Sequence, residues 1–373
     1  MMNFLMKKNL LIVLIALISC QFCCAQTKNE VTVLYLLPFH LKETPVYSTF
    51  KSSAEVYQVK QFEMMGFWLG AKMALHEYIN STHKINVILR DAVTDVQELN
   101  SILEDSVLMQ PVNIIIGPFY GSLFPTAAEF AKNHNKIIVN PFSSRYDFVD
   151  NNPSVYKLLP PFLSRPEAIA EHFLSGAEEY DIILWGDTMA SPERIAYQYY
   201  FNKNDIAYKE SNSLSLSKNK SKKYIIIPLF EQRERVIYAV HSLVSYTETN
   251  KIVIVPEKWF TISELTEDFY TLPDLYYFTN YFVDANSDEI KQFRSNYINN
   301  YGAPADLDSY SYQGYDVTRY FIDLFFANFN TNEVKFKPLS YVFNWQQIKN
   351  GGFENIKTRL IQVKDLEQSE VSD

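Results

Sequence analysis

Two short loops hold the residues best suited to touching a ligand. One is Gly117-Pro-Phe-Tyr-Gly-Ser122 and the other Pro141-Phe-Ser-Ser144. They offer hydroxyls at Ser122, Ser143 and Ser144, aromatic rings at Phe119 and Tyr120, and a slim backbone at Gly121. Peptide N–H groups opening a helix after Ser122 would suit an anion. Further along, two acids follow apolar runs: Asp187 after Tyr180 to Gly186, and Glu257 after Lys251 to Pro256. This set reads as binding chemistry. There is no Gly-x-Ser-x-Gly elbow, no phosphate-cradling loop with its lysine and no dinucleotide fingerprint. The histidines at 40, 76, 83, 134, 172 and 241 lack metal-ligand spacing, so neither metal nor cofactor is expected, nor an enzyme.

Each of these residues also has a plainer reading. Ser122 fits as an N-cap, Ser143 and Ser144 as turn residues, and Asp187 or Glu257 as a turn or cap. Tyr277, Tyr281 and Tyr312 suit the lips of a cleft, but core or surface packing is the default in so aromatic a chain.

The elements around the loops follow from periodicity. Val112 to Ile116 and Lys136 to Val139 are β-branched runs, and between them Phe124, Ala127, Ala128 and Ala131 share a helical face. That is a βαβ unit, with a right-handed crossover and parallel strands. Ligands collect beyond the carboxyl ends of such strands, which puts both loops on the rim of one cleft. Strands are expected at 31–37, 85–89, 155–159, 180–185, 224–227, 251–255 and 275–282, and closing strands with a hairpin within 338–363. Helices are expected at 59–79, 95–108, 167–174, 192–203, 231–246, 287–301 and 310–326. Gly66, Gly70 and Ala74 leave one stripe of the 59–79 helix nearly bare, suited to close approach to the sheet. Residues 42–56 read as a polar insertion beside the cleft.

This alternation predicts an α/β fold of two Rossmann-like lobes with parallel sheets, which suits a chain of 373 residues. The first lobe is expected to take residues 28–160 and 283–335. The second, with the hinge, takes 161–282 and 336–364, and 365–373 is a frayed tail. Residues 1–25 read as an export leader, with Lys7-Lys8 before a short apolar core. Cleavage after Ala25 is the simpler reading; Leu17-Ile-Ser-Cys20 instead resembles a lipobox, which would anchor Cys20 in a membrane. All three cysteines lie in this leader, so the exported domain has no disulfide. A net charge of −9 without a basic stripe argues against nucleic acid and anionic lipid.

Four segments together resemble the type I periplasmic binding proteins of the leucine/isoleucine/valine-binding branch. They are Gly66-Phe-Trp-Leu-Gly-Ala-Lys-Met-Ala-Leu75, Ile116-Gly-Pro-Phe-Tyr-Gly-Ser122, Ile138-Val-Asn-Pro-Phe-Ser-Ser144 and Gly314-Tyr-Asp316. Ala128-Glu-Phe-Ala-Lys-Asn-His134 with Asn140-Pro-Phe-Ser-Ser144 is especially similar to an envelope subgroup often fused to LysM modules. The resemblance implies two lobes joined by three crossovers, closing on an amino-acid-like solute for an ABC permease. It puts the ligand carboxylate at Ser122 and the N–H groups of Tyr120 to Leu123, with Ser143 and Ser144 beside it. Asp187 and Glu257 would then meet an ammonium group. Phe119-Tyr120-Gly121 departs from the small or hydroxyl residues usual there, and bulky rings would fill part of such a pocket. The alternative is a degenerate binding fold that serves as an envelope protein-interaction or peptidoglycan-associated module.

Overall fold

The computed structural model describes residues 29–42, 64–92, 95–145, 147–186, 191–217, 221–246, 249–265, 267–270, 272–305 and 310–371. The 42–56 insertion, apart from Lys42, and Asp187 lie outside them. So do residues 59–63, where the first helix was expected to begin.

The first sheet is built on β1 (Glu30–Leu37), whose residues from Val31 onward are all buried. A strand apolar on both sides must be covered on both faces. β2 (Lys84–Asp91) and β3 (Ile114–Ile116) flank it in parallel, and β4 (Ile137–Asn140) and β5 (Val155–Lys157) continue the ladder. One face is covered by α1 (Met65–His76) and α10 (Ser311–Phe326). The other is covered by α2 (Val96–Glu104), the short α3 (Ser106–Met109) and α4 (Phe124–Asn133). The expected 95–108 helix is two, because Asp105 leaves helical geometry and caps the second with its side chain.

The second sheet repeats the plan. β6 (Asp181–Trp185), β8 (Lys223–Pro228), β9 (Asn250–Pro256) and β10 (Leu275–Thr279) run parallel. α5 (Ser164–Ile169) and α6 (Pro192–Lys203) cover one face, and α7 (Arg233–Val244) and α8 (Glu267–Tyr270) the other. α9 (Asp288–Tyr301) belongs to the first lobe: its Ile290, Phe293 and Tyr297 pack on Met73 of α1 and Tyr312 of α10.

Among the described residues each lobe thus has a seven-stranded sheet, parallel at its centre and antiparallel at one edge. The edges depart from expectation. Hairpin β11 (Trp345–Gln347) and β12 (Phe353–Asn355), expected in the second lobe, joins the first sheet beside β5. Gly351 and Gly352 permit this, because a Cβ on either would strike the carbonyl oxygens of Val149 and Val155. The tail is not frayed over 367–370: β14 (Glu367–Glu370) pairs with β13 (Arg359–Lys364), and Arg359 holds Glu370. Polar β7 (Tyr208–Ser211) is a further edge strand that periodicity did not reveal, because it is short and neither its residue types nor its burial alternates from face to face.

The bare stripe of α1 meets a helix, not the sheet. A Cβ on Gly70 would lie 2.6 Å from the carbonyl carbon of Ser311, and one on Gly314 2.7 Å from that of Phe67. α1 and α10 therefore cross backbone to backbone, which sets the height of α10 above the first sheet.

Candidate functional site

Parallel strands leave their loops at one end, and here that end faces the hinge. The chain passes from β5 to the second lobe through 158–163, returns after β10 through 280–287, and crosses again from β12 to β13 through 356–358. β13 is antiparallel to β10 and begins with Arg359 opposite Thr279, so each crossover starts at a carboxyl end of a parallel strand. The carboxyl edges of both sheets therefore converge on the same hinge and bound one cleft.

Buried polar contacts fix the hinge. Asp316 of α10 is fully buried. Its Oδ1 accepts from Leu339 N (2.7 Å), and its Oδ2 from Ser340 N (2.7 Å), Ser340 Oγ (2.7 Å) and Tyr341 N (3.0 Å). Burial pushes its pKa up to about 6 against the pull of those bonds. Ser340 O in turn accepts from Phe282 N of the second crossover and from Arg359 of β13. Lys157 and Glu354, both buried, pair at 2.7 Å between β5 and β12, with the Lys157 ammonium also donating to Leu159 O. Burial lowers the Lys157 pKa, and Glu354 counteracts it. Asn355 donates to Leu158 O and Val342 O, which ties two crossing segments together.

On the first lobe the two predicted loops are joined by a residue the sequence reading passed over. Asn140, at the end of β4, donates to Pro118 O and Phe119 O and accepts from Phe142 N. Phe119 turns inward: its ring meets Phe67 at 5.0 Å and Phe142 at 4.9 Å, and Phe142 meets Tyr310 at 5.1 Å. That ring is core, so it does not narrow a ligand pocket as its sequence position suggested. Tyr120 stays half-buried, its hydroxyl bonded to His40 Nε2 at 3.0 Å. Asp91 fixes His40 by accepting from the N–H groups of Phe39, His40 and Leu41. Ser122 is exposed and is not the cap: α4 starts at Phe124 after Leu123, with no side-chain capping bond. Space beside Gly121 is open, with nothing within 4 Å of a Cβ there. Ser143 Oγ accepts from Arg145 N, the turn contact of its plainer reading, and Ser144 is exposed.

On the second lobe Glu257 follows β9, and its carboxylate accepts from Thr279 Oγ1 at 2.8 Å. Its surface remains open, yet the crowding of its carboxyl group raises the pKa, against the opposing effects of Thr279 and Arg165. Arg165, at the start of α5, bonds Glu193, and burial works against its charge while Glu193 and Glu257 favour it. Trp185, Phe230 and Trp259 close the core behind these groups. Tyr277 and Tyr312 are core residues. Sequence reading also missed Arg165 and Thr279: nothing in Pro161-Phe-Leu-Ser-Arg165 marks Arg165 as a strand-end group, because it opens α5 just after the first crossover.

Two α/β lobes, three crossovers and facing carboxyl edges define the type I periplasmic-binding-protein fold, and this chain has it. No protein-family model matches the sequence, and no curated protein does. Solved structures do. An ABC transporter substrate-binding protein from Desulfitobacterium hafniense is similar over 92% of this chain and 100% of its own, at TM-score 0.56 and 12% identity. A branched-chain amino acid ABC transporter protein from Rhodospirillum rubrum is similar over 92% and 100%, at TM-score 0.60 and 12% identity. LpoA from Haemophilus influenzae is similar over 93% of this chain at TM-score 0.56 and 13% identity, and the chain spans 60% of it. At such identities the likeness is one of fold.

Proposed function

We propose that this chain is an exported solute-binding protein that closes its two lobes on a small amino-acid-like zwitterion. The observation that carries this reading is the pair of opposite charges on the second rim. Arg165 and Glu257 sense each other's charge but are held by different partners, Glu193 and Thr279. A carboxylate and an ammonium group on one ligand would complement that pair. Tyr120, Gly121 and Ser122 face the ligand from the first lobe, and closure follows from contacts that exist only when both rims are engaged. Neighbours in the solved structures include ABC transporter substrate-binding proteins, so delivery to an ABC permease fits the same reading. The test is a thermal-shift screen of the mature chain against the common amino acids, followed by calorimetry. A ligand should raise the Tm, and go on raising it with the logarithm of its concentration above Kd, and Glu257→Gln should abolish the shift.

A second reading is favoured by one observation. The fold is also similar to that of LpoA from Haemophilus influenzae, which fits an envelope interaction module that takes no small ligand. No shift with any amino acid, sugar or peptidoglycan fragment would select that reading.

A further inference from the structure

Three aromatic residues at the cleft are neither core nor fully exposed. Phe142 lies two residues beyond β4, Tyr281 two beyond β10, and Tyr310 immediately before α10, and each is half-buried. Core rings are covered on all sides, as those of Phe67, Tyr312 and Tyr341 are. The Phe142 ring meets Phe119 at 4.9 Å and 88°, Phe67 at 6.0 Å and 69°, and Tyr310 at 5.1 Å and 61°. The core thus continues toward the cleft as an edge-to-face array, the arrangement in which ring quadrupoles attract.

Tyr281 connects this array to the charged pair of the second rim. It follows β10 of the second lobe, yet it packs on the core of the first lobe with Phe142 and Tyr310. Burial, then Asp316, then the hydroxyls of Tyr281 and Tyr310 push the Tyr341 phenol up, which places the three hydroxyls close together. On its backbone side, Thr279 Oγ1, the donor to Glu257, lies 2.9 Å from Tyr281 O and accepts from Tyr281 N. One hydroxyl is therefore shared by Glu257 and the Tyr281 backbone, and the charged pair borders a wall of rings.

We propose that the ligand of the cleft is an amino acid with an aromatic side chain, its ring laid on Phe142, Tyr310 and Tyr281 while its ammonium and carboxylate meet Glu257 and Arg165. The proposal rests on the zwitterion reading of the second rim and adds the side chain to it. A wall of aliphatic groups would reward any apolar side chain of equal area alike. Rings discriminate, because a ligand ring that meets their faces and edges gains more than its buried area alone supplies. Two such contacts favour a phenyl over an isobutyl group by about tenfold. Phe142 and Tyr310 belong to the first lobe and Glu257 to the second, so one ligand engages all of them only when the lobes close.

Calorimetry on the mature chain compares L-phenylalanine, L-tyrosine, L-leucine and L-serine. Phenylalanine or tyrosine should bind about tenfold more tightly than leucine, and serine least of all. Phe142→Leu and Tyr281→Leu each replace a ring by an aliphatic group, and each should bring the ratio of phenylalanine to leucine affinity toward one. That ratio compares two ligands on the same folded chain, so a modest loss of stability does not move it, and circular dichroism checks the fold. Leucine or serine bound as tightly as phenylalanine overturns the proposal and leaves the zwitterion reading standing. A preference for phenylalanine that survives both substitutions also overturns it. Binding of no amino acid at all overturns it together with the reading on which it rests.

Discussion

Gly314→Ala is the most direct test of how this sequence positions the site. A methyl group on Gly314 lies 2.7 Å from the Phe67 carbonyl carbon and 2.9 Å from its Cα, where ordinary contact begins near 3.4 Å. The Phe67 carbonyl oxygen lies closer still; the neighbour is backbone, so no side chain can swing away, and α1 and α10 must part by about 1 Å or more. Alanine gains about 1 kcal/mol of helix propensity over glycine, and overpacking costs about 1–3 kcal/mol. Separating a crossing buried along its length adds voids on both sides. The net expectation is a loss of about 2 kcal/mol in urea unfolding, with an unchanged m-value. Gly70→Ala should cost a similar amount, and the double variant clearly less than the sum, because one separation accommodates both methyls. A Gly314→Ala chain as stable as the parent, or more stable by the propensity gain, refutes the backbone-to-backbone crossing.

Lys157→Met leaves the buried Glu354 carboxylate without its partner and should cost about 3–5 kcal/mol, whereas Lys157→Met with Glu354→Leu should recover most of it; chemical denaturation reads both. Asp316 titrates near 6 in the folded chain, against 3.8 for the free residue. The fold therefore holds this proton more tightly. Its contribution to stability is complete below about pH 4 and is lost as pH rises through 6, by up to about 3 kcal/mol, and Asp316→Asn should flatten that slope in a pH series of unfolding curves. Asn140→Ala cuts the bonds that join the two rim loops and should cost about 2 kcal/mol, with faster amide exchange over 117–122 and 140–144.

The α/β architecture was legible because its centre is written in runs that allow one reading. Val31 to Leu37 and Ile225 to Ile227 are apolar on both faces and can only be central strands. Edges carry no such mark. β7 and β14 are polar, and only pairing with a neighbour makes them strands. The Gly66–Gly70–Ala74 stripe announced close packing, but a stripe does not say what approaches it, and at Gly70 the partner proved to be Ser311 on a helix far along the chain. The site was half legible for a related reason. Strand-end loops follow from periodicity, so 117–122 and 141–144 could be placed. Which side chains turn outward depends on tertiary contacts: Phe67 and Phe142 drew Phe119 inward, and a long-range bond from His40 set Tyr120.

The hinge contacts also limit how the lobes can move. Arg359 donates to Phe282 O and Ser340 O, so it joins the second crossover, the 339–341 strap and β13 at a single residue. Asp316 ties the same strap to α10. Breaking any of these bonds in motion would strand a buried donor or carboxylate at a cost of about 1–3 kcal/mol each. Closure that keeps them all must therefore pivot near Arg359, and displacement then grows with distance from that residue. Tyr120 and Ser122 follow β3 on the first lobe, and Glu257 follows β9 on the second. Rotation about one pivot moves the two lobes' strand-end groups relative to each other, so a ligand that touches both biases the lobe angle. Spin-label pairs across the two lobes should report distance changes that grow with separation from Arg359 when a ligand binds; changes of equal size near to and far from it would mean that Arg359 is not the pivot.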